Sequence, residues 1–245
     1  MHSNQYTLIY AAVLSIVTAV ILAVTAEGLR PAQEINVALD TKSNILKAVR
    51  LDLSERQEIE QTYSSRIEEL VLNASGEKLE NVAATSIDMK EENDKDWKER
   101  RLPLYIYTGE NQEKYFIVPV RGVGLWGPIW GYLSLESDFN TIYGAFFDHK
   151  GETPGLGAEI SEKAFQDQFR GKKIMTDDGQ FVSVSVIKKT DKLEYGQMYR
   201  VDAISGGTIT SRGTDQMIKD GLAPYLTYFE KIKSSGALVS ANQPK

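Results

Sequence analysis

Three glycine-rich runs hold the residues best suited to chemistry. They are Arg121-Gly122-Val123-Gly124-Leu125-Trp126-Gly127-Pro128, Glu152-Thr153-Pro154-Gly155-Leu156-Gly157, and Asp202-Ala203-Ile204-Ser205-Gly206-Gly207-Thr208-Ile209-Thr210-Ser211. By composition each reads as a turn, because glycine supplies positive φ and lets other groups approach the backbone. The third run carries more. Ser205, Thr208, Thr210 and Ser211 offer hydroxyls among small residues. A helix predicted just beyond would direct free N–H groups and its positive dipole end at an anion. Arg212 adds a fixed positive charge. Together these features suit a phosphate group. They also suit Thr210 or Ser211 as the N-cap of that helix, and the two readings are compatible.

Other chemistries are excluded by what the chain lacks. Gly122-Val123-Gly124 has strands predicted on both sides and so lacks the strand-to-helix context of a dinucleotide fingerprint. No Walker A lysine is present. The chain has no cysteine, which removes thiolate iron–sulfur and Cys-zinc sites, disulfides and cysteine nucleophiles. His2 and His149 are the only imidazoles, so a multi-histidine metal site is excluded too. No catalytic residue and no metal ligand is assigned. A net charge of −6 argues against nucleic acid as a partner.

The elements that must position these runs belong to an α+β chain. At 245 residues, 42% hydrophobic and 25% charged, it is long enough for a membrane anchor plus one medium-sized domain. Residues 66–72 read as a strand ending in the turn Ala74-Ser75-Gly76-Glu77. Residues 104–107, 115–120, 129–135 and 141–147 are short apolar or alternating runs punctuated by Gly, Asn and Asp, the texture of strands. Residues 158–169 read as a helix and 181–188 as a further strand. Helices over 214–219 and 224–233 follow, separated by Gly221. Ser54-Glu55-Arg56-Gln57 has capping-box spacing, with Ile59 and Tyr63 on one face of the ensuing helix. The charge run over 91–101 reads as a solvated loop or exposed helix.

Residues 1–26 contain no Asp, Glu, Lys or Arg, and 6–26 are almost continuously apolar. A helix needs roughly 20 apolar residues to cross the hydrocarbon core, so this run spans. The competing reading, a cleaved signal peptide, calls for a shorter core and a basic region ahead of it. Pro31 suits a first helical turn, and residues 32–50 read as a juxtamembrane helix broken or bent near Asp40. The division expected is therefore an anchor over 1–26, a helical stalk over 27–65 and a mixed helix/sheet domain over 66–245. Arg30, Lys42, Lys47 and Arg50 follow the span, which alone favours a cytoplasmic domain.

The run Asp202 to Thr208 resembles the flavinylation motif: Asp, two variable residues, Ser or Thr, Gly, Ala, then an acceptor Thr. In proteins carrying it, a flavin transferase moves the flavin mononucleotide (FMN) group from FAD onto the threonine hydroxyl, leaving a phosphoester. The match makes Thr208 the acceptor, with Thr210 as the second candidate, and Gly207 stands where alanine is usual. The N-terminal span, Gly124-Leu125-Trp126 before a strand, and Glu152-Thr153-Pro154-Gly155-Leu156-Gly157 occur in the same order in the C subunit of the Na+-translocating NADH:quinone reductase. The G subunit of the Rnf electron-transport complex shares the anchor, the Glu-Thr-Pro-Gly segment and the acceptor motif. The stalk and the Gly-Leu-Trp-Gly context make the chain more similar to the quinone reductase subunit.

The resemblance implies an electron carrier with covalent FMN in a single-pass protein of the bacterial inner membrane. Its globular domain would lie on the periplasmic side, against the charge signal. Its partners would be the other membrane subunits of the reductase, and the flavin transferase during maturation. Ser205, Gly206, Gly207 and Thr210 are expected beside the phosphate, and Leu125, Trp126, Glu152, Thr153 and Leu156 around the isoalloxazine. Trp126 equally suits a core or interface, and Glu152 a structural turn. A membrane-tethered binding module without a redox group is the reading from another class.

Overall fold

The computed structural model describes residues 4–192 and 194–235. The first three residues of the expected anchor and the last ten of the expected domain lie outside the described residues. Helix α1 runs unbroken over Asn4–Ala48. It contains a stretch long and apolar enough to cross a membrane, none of it buried. The expected break near Asp40 does not occur. Pro31 sits inside the helix rather than in its first turn. A proline there removes one N–H donor, yet its fixed φ is itself helical. The Thr41 hydroxyl donates to the Val37 carbonyl one turn back.

Met1–Thr41 and Lys42–Lys245 form two separate compact units. In the second, a five-stranded antiparallel meander in sequence order is the framework: β1 (Ile67–Leu72), β2 (Leu102–Thr108), β3 (Lys114–Val123), β4 (Pro128–Leu135) and β5 (Ile142–His149). Successive side chains of a strand point to opposite faces, and here both faces are covered. Leu104, Phe116, Val118, Val120, Leu133 and Leu135 pack into the main core with Met217, Ile218, Leu222, Tyr225 and Phe229. Those five belong to α5 (Thr208–Leu222), a connecting 3-10 turn, and α6 (Leu226–Ser235). On the opposite face the end of α1 brings Ile45 and Leu46, the turn after it brings Val49, and α2 (Arg56–Arg66) brings Ile59 and Tyr63. The Ser134 hydroxyl donates to the Ala48 carbonyl at 2.6 Å, fixing the end of α1 to β4.

The remaining elements are short. They are α3 (Met89–Asn93), α4 (Lys163–Gln166) between two 3-10 turns, and a two-stranded parallel sheet of β6 (Ser185–Ile187) and β7 (Arg200–Asp202). Several expectations are corrected here. The capping box at Ser54 does not form, because Glu55 is the N-cap of α2 and makes no side-chain cap bond. The helix over 158–169 is broken into three turns, which place Phe165 and Phe169 against Phe147. The strand over 181–188 contracts to β6 plus an isolated bridge between Met175 and Phe181.

The charge run over 91–101 is not wholly solvated: Glu92 is fully buried. Its carboxylate accepts from Lys95 at 2.9 Å and from the Arg101 backbone N–H and Nε at 2.9 and 2.8 Å. A buried carboxylate persists only when paired in this way. Gly221 does not separate a pair of helices but lies inside α5, where a Cβ would approach Val120 Cγ1 to 2.6 Å. α5 itself starts at Thr208, six residues before the expected start at 214.

Candidate functional site

The three glycine-rich runs become neighbours through the fold. The first is the turn of the β3–β4 hairpin, closed by Gly124 N–H donating to the Gly127 carbonyl at 2.8 Å. The second follows β5, and its Leu156 and Ala158 N–H groups both donate to the Thr153 carbonyl. The third links β7 to α5. Glu152 joins them. Its Oε1 accepts from the Trp126 backbone N–H at 2.8 Å, and its Oε2 accepts from the Thr210 hydroxyl at 2.5 Å. Its own N–H donates to His149 Nδ1 at 3.1 Å.

The Glu152 side chain is buried, and burial by itself raises a carboxyl pKa. Hydrogen bonds from Thr210 and from the Trp126 and Leu125 backbones, with the nearby His149, outweigh that cost and hold it below its ordinary value. The surrounding glycines leave room for this carboxylate. A Cβ on Gly124 would stand 2.6 Å from Oε1, and one on Gly157 would collide with Oε2 and with the Thr210 hydroxyl.

The acceptor run is equally constrained. Gly206 has φ +77°, a left-handed conformation that suits glycine, and a Cβ there would meet Leu156 Cδ2 at 2.6 Å. Gly207 is the N-cap of α5, without a side-chain cap bond. Thr210 and Ser211 are therefore not N-caps, contrary to one expectation; they sit in the first turn, facing inward. The Ser211 hydroxyl accepts from the Ile204 N–H at 3.0 Å, which ties the loop to the helix. An alanine Cβ at 207 would lie 3.0 Å from Ile204 Cγ2 and 3.3 Å from the Leu156 carbonyl carbon. Glycine at this position fits the bulk of Ile204.

Thr208 opens α5 and is half-buried, on the rim of a broad cleft of about 1200 Å³. Ser205 and Gly206 line the same cleft, facing Glu159, Glu162, Lys188 and Lys189. Among the described residues no group holds the Thr208 hydroxyl, whereas that of Thr210 is buried and held. The arrangement offers an anion the uncapped N-terminus of a fifteen-residue helix with a hydroxyl at its first position. Leu125, Trp126 and Leu156 are exposed by 50%, 68% and 42%, a departure from burial that suits contact with an apolar ring. Thr153 is exposed as well.

Sequence reasoning missed four kinds of neighbour. Val123 and Ile209 are exposed apolar residues beside the named ones in sequence. Lys188 and Lys189 reach the cleft from the end of β6, and Lys189 pairs with Asp202 at 3.3 Å. Arg200, itself buried, holds the other Asp202 oxygen at 3.1 Å. Glu159 and Glu162 come from the turns after the second run. Only the apolar pair had a local signal, namely hydrophobic side chains inside glycine- and threonine-rich runs of sequence.

Residues 124–223 match the FMN-binding domain family, a span that contains all three runs except the start of the first. The C subunit of the Na(+)-translocating NADH-quinone reductase from Haemophilus ducreyi is 33% identical over 91% of this chain and 93% of its own length. The chain belongs to that C-subunit family. The Neisseria meningitidis serogroup A member is likewise 33% identical, over 94% of this chain and 95% of its own. The crystal structure of the C subunit from Parabacteroides distasonis superposes with a TM-score of 0.74 at 40% identity, covering 82% of this chain and 96% of that one. The Shewanella oneidensis NqrC structure does so at 0.68 and 25% identity, covering 80% and 97%. Members of the family are subunits of an oxidoreductase complex. The α+β architecture after an apolar N-terminal helix agrees with these neighbours.

Proposed function

We propose that this chain is an electron-carrying flavoprotein subunit of a Na+-translocating NADH:quinone oxidoreductase, with FMN joined to Thr208 through a phosphoester. One observation carries the attachment: of the two threonines in the acceptor run, only Thr208 has a hydroxyl that is unheld and reachable. The residues present fit the group. An uncapped helix N-terminus, Gly206 in the left-handed region and the Ser205 hydroxyl surround the phosphate position. The exposed Leu125, Trp126 and Leu156 supply apolar surface for the isoalloxazine, with Thr153 at its edge.

When bound, FMN supplies the redox chemistry, and the protein holds it and tunes its potential. A tether suits a carrier outside the cytoplasm, where a lost cofactor is not readily replaced. In this reading residues 1–26 anchor the chain in the inner membrane, 27–65 form the stalk, and 66–245 hold the flavin on the periplasmic side. The other membrane subunits are its electron partners, and a flavin transferase matures it. The relatives named above belong to the quinone reductase, which favours that complex over Rnf.

Intact-mass analysis of the full chain tests the proposal. Co-expression with a flavin transferase is expected to add one FMN less one water, and the adduct is expected to vanish in Thr208→Ala and without the transferase. A colourless, unmodified wild type after co-expression would favour the non-redox binding module instead.

A further inference from the structure

We infer that Glu152 is a positioning residue for flavin attachment, acting through Thr210 to turn the Thr208 hydroxyl outward. The inference rests on Thr208 being the acceptor. α5 has no side-chain cap, so its first turn depends on other contacts to keep from fraying. Thr210 and Thr208 are two residues apart, about 200° around a helix, so drawing one inward directs the other outward. The Thr210 hydroxyl supplies that inward pull on Glu152 Oε2.

Glu152 is a firm post for such a pull. Its other oxygen is held by the Trp126 N–H, and Gly124 and Gly157 close around the carboxylate with no space for a Cβ. The same bond keeps Thr210 out of reach of a flavin donor, so Glu152 also selects between the two threonines.

In the transfer, Thr208 Oγ1 bonds to the flavin-side phosphorus of FAD. The pyrophosphate P–O bond breaks, AMP leaves with that electron pair, and the hydroxyl proton passes to solvent. Glu152 does not take this proton, because its oxygens are committed to Trp126 and Thr210.

The test uses the full-length chain in detergent with a flavin transferase and FAD, reading covalent flavin by in-gel fluorescence and folding by circular dichroism. Thr210→Val keeps the shape and removes the donor. It is expected to lower kcat for transfer by about tenfold or more, with KM for the chain little changed. Thr210→Ser restores the donor and is expected to recover most of the rate. A wild-type rate in Thr210→Val, or equal slowing by valine and serine, would overturn the inference. If Thr210→Val does not fold, Thr210→Ala takes its place, and an unchanged rate there has the same meaning. Thr208→Ala is the blank. Labelling of that variant overturns the attachment site and this inference with it, whereas an unlabelled blank isolates the role of Glu152.

Discussion

The Thr210 hydroxyl meets the Glu152 carboxylate across 58 residues of sequence, and this bond joins the start of α5 to the segment after β5. With the Trp126 N–H on the other oxygen, one buried carboxylate fastens all three glycine-rich runs. The consequences extend from stability to cofactor loading.

Acid should loosen this fastening. The Glu152 pKa is lowered in the folded chain relative to its ordinary value of 4.5. Its contribution is therefore present above that value and lost as pH falls through the lower folded one. Thermal melting of wild type and Glu152→Gln from about pH 7 down to about pH 3 is expected to show a gap that closes with acid. A gap independent of pH would mean that the ionised carboxylate is not what stabilises the junction.

Gly157→Ala places a methyl against both Glu152 and Thr210. Overpacking of this kind costs about 1–3 kcal/mol. Chemical denaturation is expected to show that loss, together with reduced flavin loading; full stability would show that the loop moves aside freely.

Gly207→Ala matches the usual motif, yet its methyl would press on Ile204 Cγ2. The expected cost is about 1 kcal/mol, and Ile204→Ala should remove most of it in a double-mutant cycle. Additive losses would separate the two positions.

The buried Glu92 is predicted to be structural. Glu92→Ala forfeits its bonds to Lys95 and Arg101, at about 2 kcal/mol by denaturation, since hydrogen bonds to charged groups are the stronger kind. Flavin loading at Thr208 is expected to persist wherever the variant is folded.

The five strands were legible because each alternates or is uniformly apolar and is closed by Gly, Asn or Asp, whereas their meander order came from the fold. The start of α5 was not. Gly207 gives no capping signal, while Thr210 looks like a cap but spends its hydroxyl on a distant carboxylate. Glu92 was hidden for a similar reason: within a charged run nothing local distinguishes the one carboxylate that Arg101 and Lys95 enclose. The turns over 157–169 depend on Phe165 and Phe169 reaching Phe147, a tertiary demand that overrides helical periodicity. Candidate site residues could be named from motifs, but which of the two threonines faces outward required the fold.

The most direct measurement is fragmentation of the tryptic peptide running from Val201 to Arg212, which carries both threonines. In protein matured with a flavin transferase, the FMN mass is predicted on fragments that contain Thr208 and exclude Thr210. An adduct that follows Thr210, or a peptide with no adduct, would contradict the account.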